Sequence, residues 1–338
     1  TDFISRHPKV LFLEETYPVM EMQLPDRTGI LGRWNGVVPG AGELLPEVIA
    51  GILAKILGMD QPSGEGSSLL REALEDLKIT PRKPMLCPGC PHRASYFSIR
   101  QALPNAVNPS DIGCYTLGVN QKAVDAVVDM GASVTMGSGF FLAHKAAGTE
   151  RPIVSTIGDS TFFHMGIPGL VSAVYNRHAF VLGILDNSTT AMTGGQANPA
   201  VGDKLRKGDE GRKVDIEAVC RGCGVTFVRT IEAYDVAAGK EAVKEAWEHA
   251  QSRSEPAVII FRHPCMLLRP QQPVVQVKVD PEKCIGCKFC INFFNCPGLV
   301  FDETRSKAYI DERFCVSCGV CISVCPHGAI AEVSEEGK

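Results

Sequence analysis

Short apolar runs alternate along the chain with longer segments that carry apolar residues at helical spacing. This pattern predicts strands at 10–14, 153–157, 179–185, 225–229 and 257–261, and helices at 44–57, 68–77, 167–175 and 236–251. Between Cys87 and Cys265 the strands and helices follow one another in turn. Such alternation is typical of a doubly wound α/β domain with a parallel sheet.

Turn-forming residues divide the chain. Gly, Ser and Pro cluster at 60–68, and Pro81 and Pro84 follow, which places a boundary near residue 80. The segment 187–213 is predicted to be a long loop, and 268–276, with two prolines and three glutamines, a linker. We therefore predict units at 1–80, 81–267 and 281–333, a linker at 268–280, and a frayed tail from Ser334.

Composition narrows the classes of protein. The 338 residues predict roughly two domains. A net charge of −4 without blocks of like charge excludes the usual footprint of a nucleic-acid binder. No apolar run approaches the roughly 18 residues that span a bilayer, and no secretory signal precedes the first strand. Because the chain begins with Thr1, we expect either processing or a longer parent chain.

Fourteen cysteines are the most informative residues. They come in short-spaced groups and no export signal accompanies them, so they indicate metal ligation in a reducing compartment. We therefore expect the protein to be cytoplasmic.

The C-terminal cysteines form two runs, Cys315-x2-Cys-x2-Cys-x3-Cys-Pro326 and Cys284-x2-Cys-x2-Cys-x5-Cys-Pro297. The first has the spacing of bacterial ferredoxins, in which the last cysteine of each run ligates the other cluster. We predict a small α+β domain with two [4Fe–4S] clusters, one held by Cys284, Cys287, Cys290 and Cys325, the other by Cys315, Cys318, Cys321 and Cys296. Two zinc sites are the less favoured interpretation, since zinc prefers separated CxxC pairs.

Polar residues follow two neighbouring predicted strands. Gly158-Asp-Ser160 comes after one strand, and Asp186-Asn187 after the next. The carboxyl ends of parallel strands face one crevice, so Asp159 and Asn187 can offer oxygens to Mg²⁺. The helix that begins at Ser160 and Thr161 can face a diphosphate. An ordinary crossover with a polar turn is the alternative interpretation.

The spacing resembles the thiamine-diphosphate motif, with Ser160 and Asp186 replacing the usual Gly and Asn. Further phrases are Cys87-Pro-Gly-Cys-Pro-His-Arg93, Asp111-Ile-Gly-Cys-Tyr115, Met136-Gly-Ser-Gly139 and Thr190-Ala-Met-Thr-Gly-Gly-Gln196. Together with the ferredoxin spacing, they resemble the 2-oxoacid:ferredoxin oxidoreductases, in particular the α subunits of the indolepyruvate type. The resemblance covers residues 1 to about 332.

The resemblance implies oxidative decarboxylation of an arylpyruvate to its acyl-CoA, with single electrons passed through [4Fe–4S] clusters to ferredoxin. Thiamine diphosphate would be the electron sink. A third, proximal cluster on Cys87, Cys90, Cys114 and Cys265 is implied too, although four buried free thiols are the alternative. Other 2-oxoacids (phenylglyoxylate or branched-chain acids) and a non-catalytic electron-transfer subunit remain open.

Several residues receive roles from the resemblance. Those predicted to contact the cofactor are Cys87, Pro88, Gly89, His92, Gly137, Ser138, Gly158, Asp159, Ser160, Thr161, Asn187, Thr189, Thr193 and Gly194. Mg²⁺ would be held by Asp159, Asn187 and the carbonyl of Thr189. His164 and Arg93 are the candidate catalytic residues, with a structural histidine as the alternative for His164. Met136 would pack beneath the cofactor or fill the core, and Cys220 and Cys223 are predicted to be core thiols.

This chain also departs from the resembled family. There, a pyrimidine-binding domain and a connecting domain precede the region, and only the end of the connecting domain corresponds to residues 1 to about 35. The catalytic Glu of the family belongs to the domain that this sequence does not contain. We therefore expect partners: a subunit that carries the pyrimidine-binding domain, a γ-type (β) subunit, ferredoxin, and the substrates 2-oxoacid and coenzyme A.

Overall fold

The computed structural model describes residues 2–15, 17–60, 70, 72–75, 77, 83–202, 211–268 and 275–333. Contacts divide the chain into two compact units, Thr1–Arg82 and Lys83–Lys338.

Up to residue 60, the described part of the first unit contains three helices and two short strands. They are α1 (Asp2–Ser5), β1 (Val10–Leu11), α2 (Val19–Met22), β2 (Ile30–Leu31) and α3 (Pro46–Leu57), and the strands pair in parallel. Helix α3 starts with a proline and ends at Gly58 in the left-handed region (φ 65°), as the sequence pattern predicts. The loop predicted at 60–68 lies outside the described residues except for residue 60. Of the helix predicted at 68–77, residues 70, 72–75 and 77 are described, and 70 and 72–75 are helical. That this unit is the end of a connecting domain stays a prediction.

A six-stranded parallel sheet is the centre of the second unit. Its strands are β3 (Pro109–Ser110), β4 (Ala126–Val127), β5 (Val154–Gly158), β6 (Val181–Asp186), β7 (Val228–Glu232) and β8 (Ala257–Arg262), in the order β4-β3-β5-β6-β8-β7. The predicted parallel α/β fold is confirmed. The four strands predicted for this region lie within about three residues of β5 to β8.

Helices cover both faces of the sheet. They are α4 (Pro91–Ala102), α5 (Ala132–Ala147), α6 (Asp159–Thr161), α7 (Ile167–Tyr175), α8 (Ile216–Gly222) and α9 (Val236–Arg253). Strand β6 shows the two layers: Val181 and Leu185 join one buried cluster, while Leu182 and Ile184 join the other. This alternation follows from the period of two in a strand. Helices α4 and α9 contribute to the first cluster, and α5, α7 and α8 to the second.

Two of these helices were not predicted from the sequence. Helix α4 places polar side chains such as His92, Arg93 and Ser95 in buried positions, so its mean hydropathy is low. Helix α5 contains Gly137 and Gly139, which lower helix propensity. Both helices are stabilised by tertiary packing.

The C-terminal part is a small α+β fold, as predicted. Strand β9 (Val277–Val279) pairs antiparallel with β12 (Ile330–Glu332), and β10 (Leu299–Asp302) pairs antiparallel with β11 (Lys307–Ile310). Strand β9 corrects the predicted linker at 268–280. Val275, Val277 and Val279 alternate with polar residues, which is a strand pattern. Residues 269–274 of that linker lie outside the described residues.

This part packs directly on the sheet domain. Phe97 of α4 lies in one buried cluster with Cys290 and Phe294, and its ring meets the Phe294 ring edge-on at 5.7 Å. Contacts therefore group both parts in one unit, and the domain boundaries drawn from the sequence stay a prediction. No helix in the described parts of the chain is long and apolar enough to cross a membrane.

Candidate active site

A pocket opens at the carboxyl ends of β5 and β6. The two strands pair in register, with Gly158 opposite Leu185, so Asp159 and Asn187 emerge side by side. Both side chains line a cavity of about 120 Å³. Its other lining residues are His92, Ile112, Gly113, Cys114, Tyr115, Met130, Gly158, Ser160, Thr161, Leu185 and Thr189 to Thr193. The topology of the sheet thus joins the two predicted Mg²⁺ ligands.

Asp159 is a buried carboxyl, and one of its oxygens accepts no hydrogen bond from the described residues. Its Oδ1 accepts from the backbone N–H of Ser160 at 2.8 Å, whereas its buried Oδ2 has no partner among the described residues. Burial, and secondarily the nearby Asp186, raises the pKa of Asp159 to about 7. A cation at Oδ2 would stabilise the carboxylate, which burial disfavours. The donor set therefore fits a hard ion such as Mg²⁺.

Asn187 is oriented by its neighbours. Its Nδ2 lies 3.2 Å from Nε2 of His92, and its Oδ1 accepts from the backbone N–H of Thr189 at 3.3 Å. Burial lowers the pKa of His92 to about 4, so the imidazole is neutral near pH 7 and can accept from the amide. His92 therefore lines the pocket and also holds the second candidate ligand.

The loop after Asn187 closes one side of the pocket. Thr190 Oγ1 donates to Ser160 Oγ at 2.9 Å, and Thr189 Oγ1 donates to the Gln196 carbonyl at 3.2 Å. Thr193 lines the pocket, and Gly194 adopts a positive φ of 118° at the turn beside it. Ser160, Thr161 and Thr193 all line the pocket, and their predicted contacts with a diphosphate stay a prediction.

Tyr115 lines the pocket and Asp111 lies directly behind it as its hydrogen-bond partner, although neither received a role from the sequence. The Tyr115 hydroxyl donates to Asp111, and its ring meets His92 edge-on at 5.9 Å. Gly158 is required here, since a Cβ at this position would lie 2.5 Å from the Tyr115 ring. Asp111 also accepts from Gly131 N–H at 2.9 Å, and burial raises its pKa to about 6. Asp111 follows the two-residue strand β3, which was not among the predicted strands, so sequence reasoning missed it.

Gly137 and Ser138, predicted to contact the cofactor, do not line the pocket. A Cβ on Gly137 would lie 2.3 Å from Ser155 Oγ and 3.1 Å from the Phe180 ring. The glycine therefore lets α5 approach β5. Met136 is half-buried and is also absent from the pocket lining.

The two candidate catalytic residues also lie outside the pocket lining. His164 is exposed in the π-helical turn Phe162–Gly166. Arg93 is buried, and its guanidinium donates to backbone carbonyls of Leu86, Cys87, Phe294 and Asn295. It is therefore not directed at the pocket, because the C-terminal domain covers this side of α4. Both predicted roles lose their geometric basis.

Of the four cysteines predicted for a proximal cluster, one lines the pocket itself. Cys114 lines the pocket, and the Cys265 backbone N–H donates to the Asn187 carbonyl at 2.9 Å. Burial and then the neighbouring thiols of Cys265 and Cys87 raise the pKa of Cys114. Cys90 lies in the same loop as Cys87, and burial raises its pKa to about 12.

The other members of that loop face elsewhere. Pro88 and Gly89, predicted to contact the cofactor, line a second cavity together with Cys296, Cys315, Cys318 and Cys321. The Cys87–Cys90 loop thus lies between the pocket and a group of four cysteines.

A third cavity is lined by Cys284, Cys287, Cys290 and Cys325. The two groups match the sets predicted from the ferredoxin spacing, including the exchange of the last cysteine. Burial, then the other three thiols, raises the pKa of Cys290 to about 11, and backbone N–H groups of Ser317 and Ala329 approach Cys315 and Cys325 sulfurs at 3.4 and 3.3 Å. Buried thiols with N–H donors fit an iron–sulfur cluster. In the described residues, no three His, Cys, Asp or Glu side chains are arranged to hold a single metal ion.

Other features remain outside this chemistry. A larger cavity of about 370 Å³ opens at the opposite, amino-terminal edge of the sheet, and no predicted site residue lines it. Cys220 is buried and Cys223 half-buried in the apolar cluster beneath α8, as predicted for core thiols.

Comparisons with known proteins agree with this architecture. Residues 111–261 match the thiamine pyrophosphate enzyme C-terminal TPP-binding domain, and residues 308–331 match the 4Fe-4S binding domain. Indolepyruvate oxidoreductase subunit IorA of Archaeoglobus fulgidus is 42% identical over 97% of this chain and 53% of its own length; that of Methanothermobacter marburgensis is 38% identical over 100% and 53%. A solved 2-oxoglutarate:ferredoxin oxidoreductase from Magnetococcus marinus aligns over 55% of this chain and 66% of its own, with a TM-score of 0.45 and 18% identity.

The fold and the site thus define a thiamine-diphosphate-binding domain joined to a 4Fe-4S domain. Over almost its whole length, the chain is similar to the indolepyruvate oxidoreductase IorA subunits. It spans about half the length of the curated relatives that it matches.

Proposed function

We propose that this chain is the thiamine-diphosphate and iron–sulfur part of a 2-oxoacid:ferredoxin oxidoreductase that acts on an arylpyruvate of the indolepyruvate type. The observation that carries the proposal is the position of the Cys87–Cys90 loop. On one side the loop adjoins Cys114 in the wall of the pocket. On the other side Gly89 lines the cavity of a group that we call the Cys296 set, namely Cys296, Cys315, Cys318 and Cys321. A site for two-electron chemistry and carriers of single electrons are thus neighbours in one unit.

The pocket holds Mg²⁺ and the diphosphate. Asp159 and Asn187 supply side-chain oxygens, Thr189 its carbonyl, and Ser160, Thr161, Thr193 and Gly194 surround the diphosphate. His92 keeps the Asn187 amide in place. When bound, thiamine diphosphate supplies an electron sink for decarboxylation. The apolar side chains of Ile112, Met130, Leu185 and Met192 line the same region.

The cysteines carry electrons away from the pocket. One [4Fe–4S] cluster occupies the cavity of the Cys296 set, and another occupies the cavity of the Cys284 set, namely Cys284, Cys287, Cys290 and Cys325. A third cluster is held by Cys87, Cys90, Cys114 and Cys265. Thiolates are the ligands that such clusters prefer. All fourteen cysteines are free in the structure, which supports a reducing compartment such as the cytoplasm.

The pocket needs a second polypeptide surface. Its volume of about 120 Å³ is below the roughly 300 Å³ at which ordinary ligand sites begin. A pyrimidine-binding domain with the catalytic Glu and a γ-type (β) subunit complete the walls and admit the 2-oxoacid and coenzyme A. Ferredoxin accepts the electrons.

The test is a reconstituted assembly that contains this chain and its partner subunits. With coenzyme A and oxidised ferredoxin, we expect indolepyruvate to reduce ferredoxin, and Asp159→Asn to lower kcat/KM at least about tenfold because it removes the charged Mg²⁺ ligand. Asp129→Asn, an exposed carboxyl near the pocket mouth, is the matched control and should keep the activity.

A panel of phenylglyoxylate, branched-chain 2-oxoacids and pyruvate tests the substrate. A higher kcat/KM on one of these would overturn the indolepyruvate assignment and keep the chemistry. If no 2-oxoacid reduces ferredoxin and calorimetry detects no Mg²⁺-dependent binding of thiamine diphosphate, the chain is an electron-transfer subunit only.

A further inference from the structure

Arg93 is a buried cation that the pocket does not use. It lies in the first turn of α4 and is 1% exposed. Its Nη1 donates to the carbonyls of Phe294, at 3.0 Å, and Asn295, while its Nη2 donates to those of Leu86 and Cys87, the latter at 3.2 Å. Four carbonyl oxygens from two separate segments thus converge on one guanidinium.

These two segments both lead into predicted cluster ligands. Leu86 and Cys87 open the loop that continues to Cys90, and Phe294 and Asn295 immediately precede Cys296. Gln121 supports the same junction, because its Nε2 donates to the Phe294 carbonyl at 3.1 Å and to the Arg93 carbonyl at 3.3 Å. A planar group with five N–H donors can hold both segments, whereas an ammonium group has three donors and no fixed plane.

The positive charge of Arg93 interacts with cysteine sulfurs rather than with carboxylates. The groups that act electrostatically on the guanidinium are the thiols of Cys296, Cys90, Cys87 and Cys318. Its buried Nε has no hydrogen-bond partner among the described residues. A buried cation without a counter-charge is costly, so negative charge on these sulfurs would compensate it.

We propose that Arg93 is a positioning residue for electron transfer: it joins the Cys87–Cys90 loop to the segment before Cys296, and its charge stabilises the reduced state of the clusters on both sides. This inference rests on the proposed function. A cluster gains negative charge when it is reduced, so a nearby cation raises its reduction potential. The Cys284 set lines a separate cavity to which neither segment held by Arg93 contributes, so its potential serves as an internal reference.

The experiment compares Arg93→Gln and Arg93→Lys in the full chain by redox titration, with the individual clusters followed by EPR spectroscopy. Cys287→Ser identifies the signal of the Cys284 set. In Arg93→Gln, at a fixed potential, we expect at least a tenfold higher ratio of oxidised to reduced cluster for the Cys296 set, equivalent to about 59 mV. The Cys284 set should not shift. Arg93→Lys should restore the potential, and Arg100→Gln, on the same helix and part-exposed, is the control.

A Gln variant with unchanged potentials, or with all clusters shifted equally, would overturn the proposal. If the Arg93→Gln protein loses its iron, the Arg93→Lys protein is tested instead. It should release iron from the Cys296 set to a chelator at least threefold faster than wild type does. Its rate of iron release from the Cys284 set should equal that of wild type. Equal release from both sets would contradict the positioning role. Wild-type protein without iron and acid-labile sulfide would instead refute the proposed function.

Discussion

The cysteine cavities and the cofactor pocket are built in different ways. Each cavity is lined by four cysteines, three from one short run and one from the other, so a complete set of ligands lies within about 45 residues. The pocket gathers residues from the ends of separate strands, from His92 to Thr193, and remains small. Local loop geometry determines the cysteine cavities. The pocket is determined by the sheet and, under the proposed function, by a partner subunit.

Both regions share one physical property. Burial raises the pKa of Cys290 to about 11 and that of Asp159 to about 7. In each case the anionic form needs a positive centre that the chain does not supply there. The two regions differ in the number of groups that need a positive centre. Four thiols surround each cavity, whereas the pocket has one such carboxyl, Asp159, with an unpartnered oxygen.

The largest expected effect comes from breaking one cavity. Cys318→Ser removes a thiolate from the Cys296 set, and we expect about four iron atoms per chain to be lost, since a [4Fe–4S] cluster depends on all four ligands. Iron and acid-labile sulfide analysis measures this loss.

Cys223→Ser is the matched control, because Cys223 is half-buried in the core and belongs to neither set. It should keep the iron content. Equal iron in the Cys318→Ser and wild-type proteins would show that this cavity holds no cluster.

The same contrast explains what the sequence could predict. The two cysteine sets followed from spacing alone, as did Asp159 and Asn187, since each comes directly after a strand. The roles assigned to Gly137, His164 and Arg93 came from matching motifs, and the structure moves all three away from the pocket lining. Tyr115 and Asp111 were missed because their importance depends on where β3 lies in the sheet. Sequence spacing does not contain that tertiary information.

A second prediction tests whether Gly137 is a packing residue. In Gly137→Ala the new Cβ would lie 2.3 Å from Ser155 Oγ, so α5 must shift from β5. We expect the free energy of unfolding to fall by about 1–3 kcal/mol, as for other overpacked positions. Chemical denaturation of the full chain measures it.

Gly139→Ala on the same helix is the control. Nothing lies within 4 Å of its added Cβ, and alanine favours the helix by about 0.5–1 kcal/mol. We therefore expect a small gain in stability. If both variants lose stability equally, or Gly137→Ala loses none, close approach of α5 does not explain this glycine.

The smallest expected effect concerns Asp111, a buried carboxyl that accepts a hydrogen bond from the pocket residue Tyr115 and has no proposed metal role. Burial raises its pKa from 3.8 to about 6, so the folded state favours the protonated acid. The stability that Asp111 contributes is therefore greatest below about pH 3.8 and is lost as the pH rises through 6. Asp111→Asn remains neutral throughout and does not follow this change.

The measurement compares wild type and Asp111→Asn by chemical denaturation at pH 5 and at pH 7.5. The asparagine gives up one acceptor toward the Tyr115 hydroxyl or the Gly131 N–H, so its stability at pH 5 should be lower than that of wild type. Between the two pH values the gap should change by about 1 kcal/mol in favour of the variant, because only the wild type must bury a new charge. A gap that is constant with pH would mean that Asp111 is already ionised at pH 5. The hydrogen bonds from the Tyr115 hydroxyl and the Gly131 N–H, which favour the carboxylate, would then outweigh the effect of burial on this group.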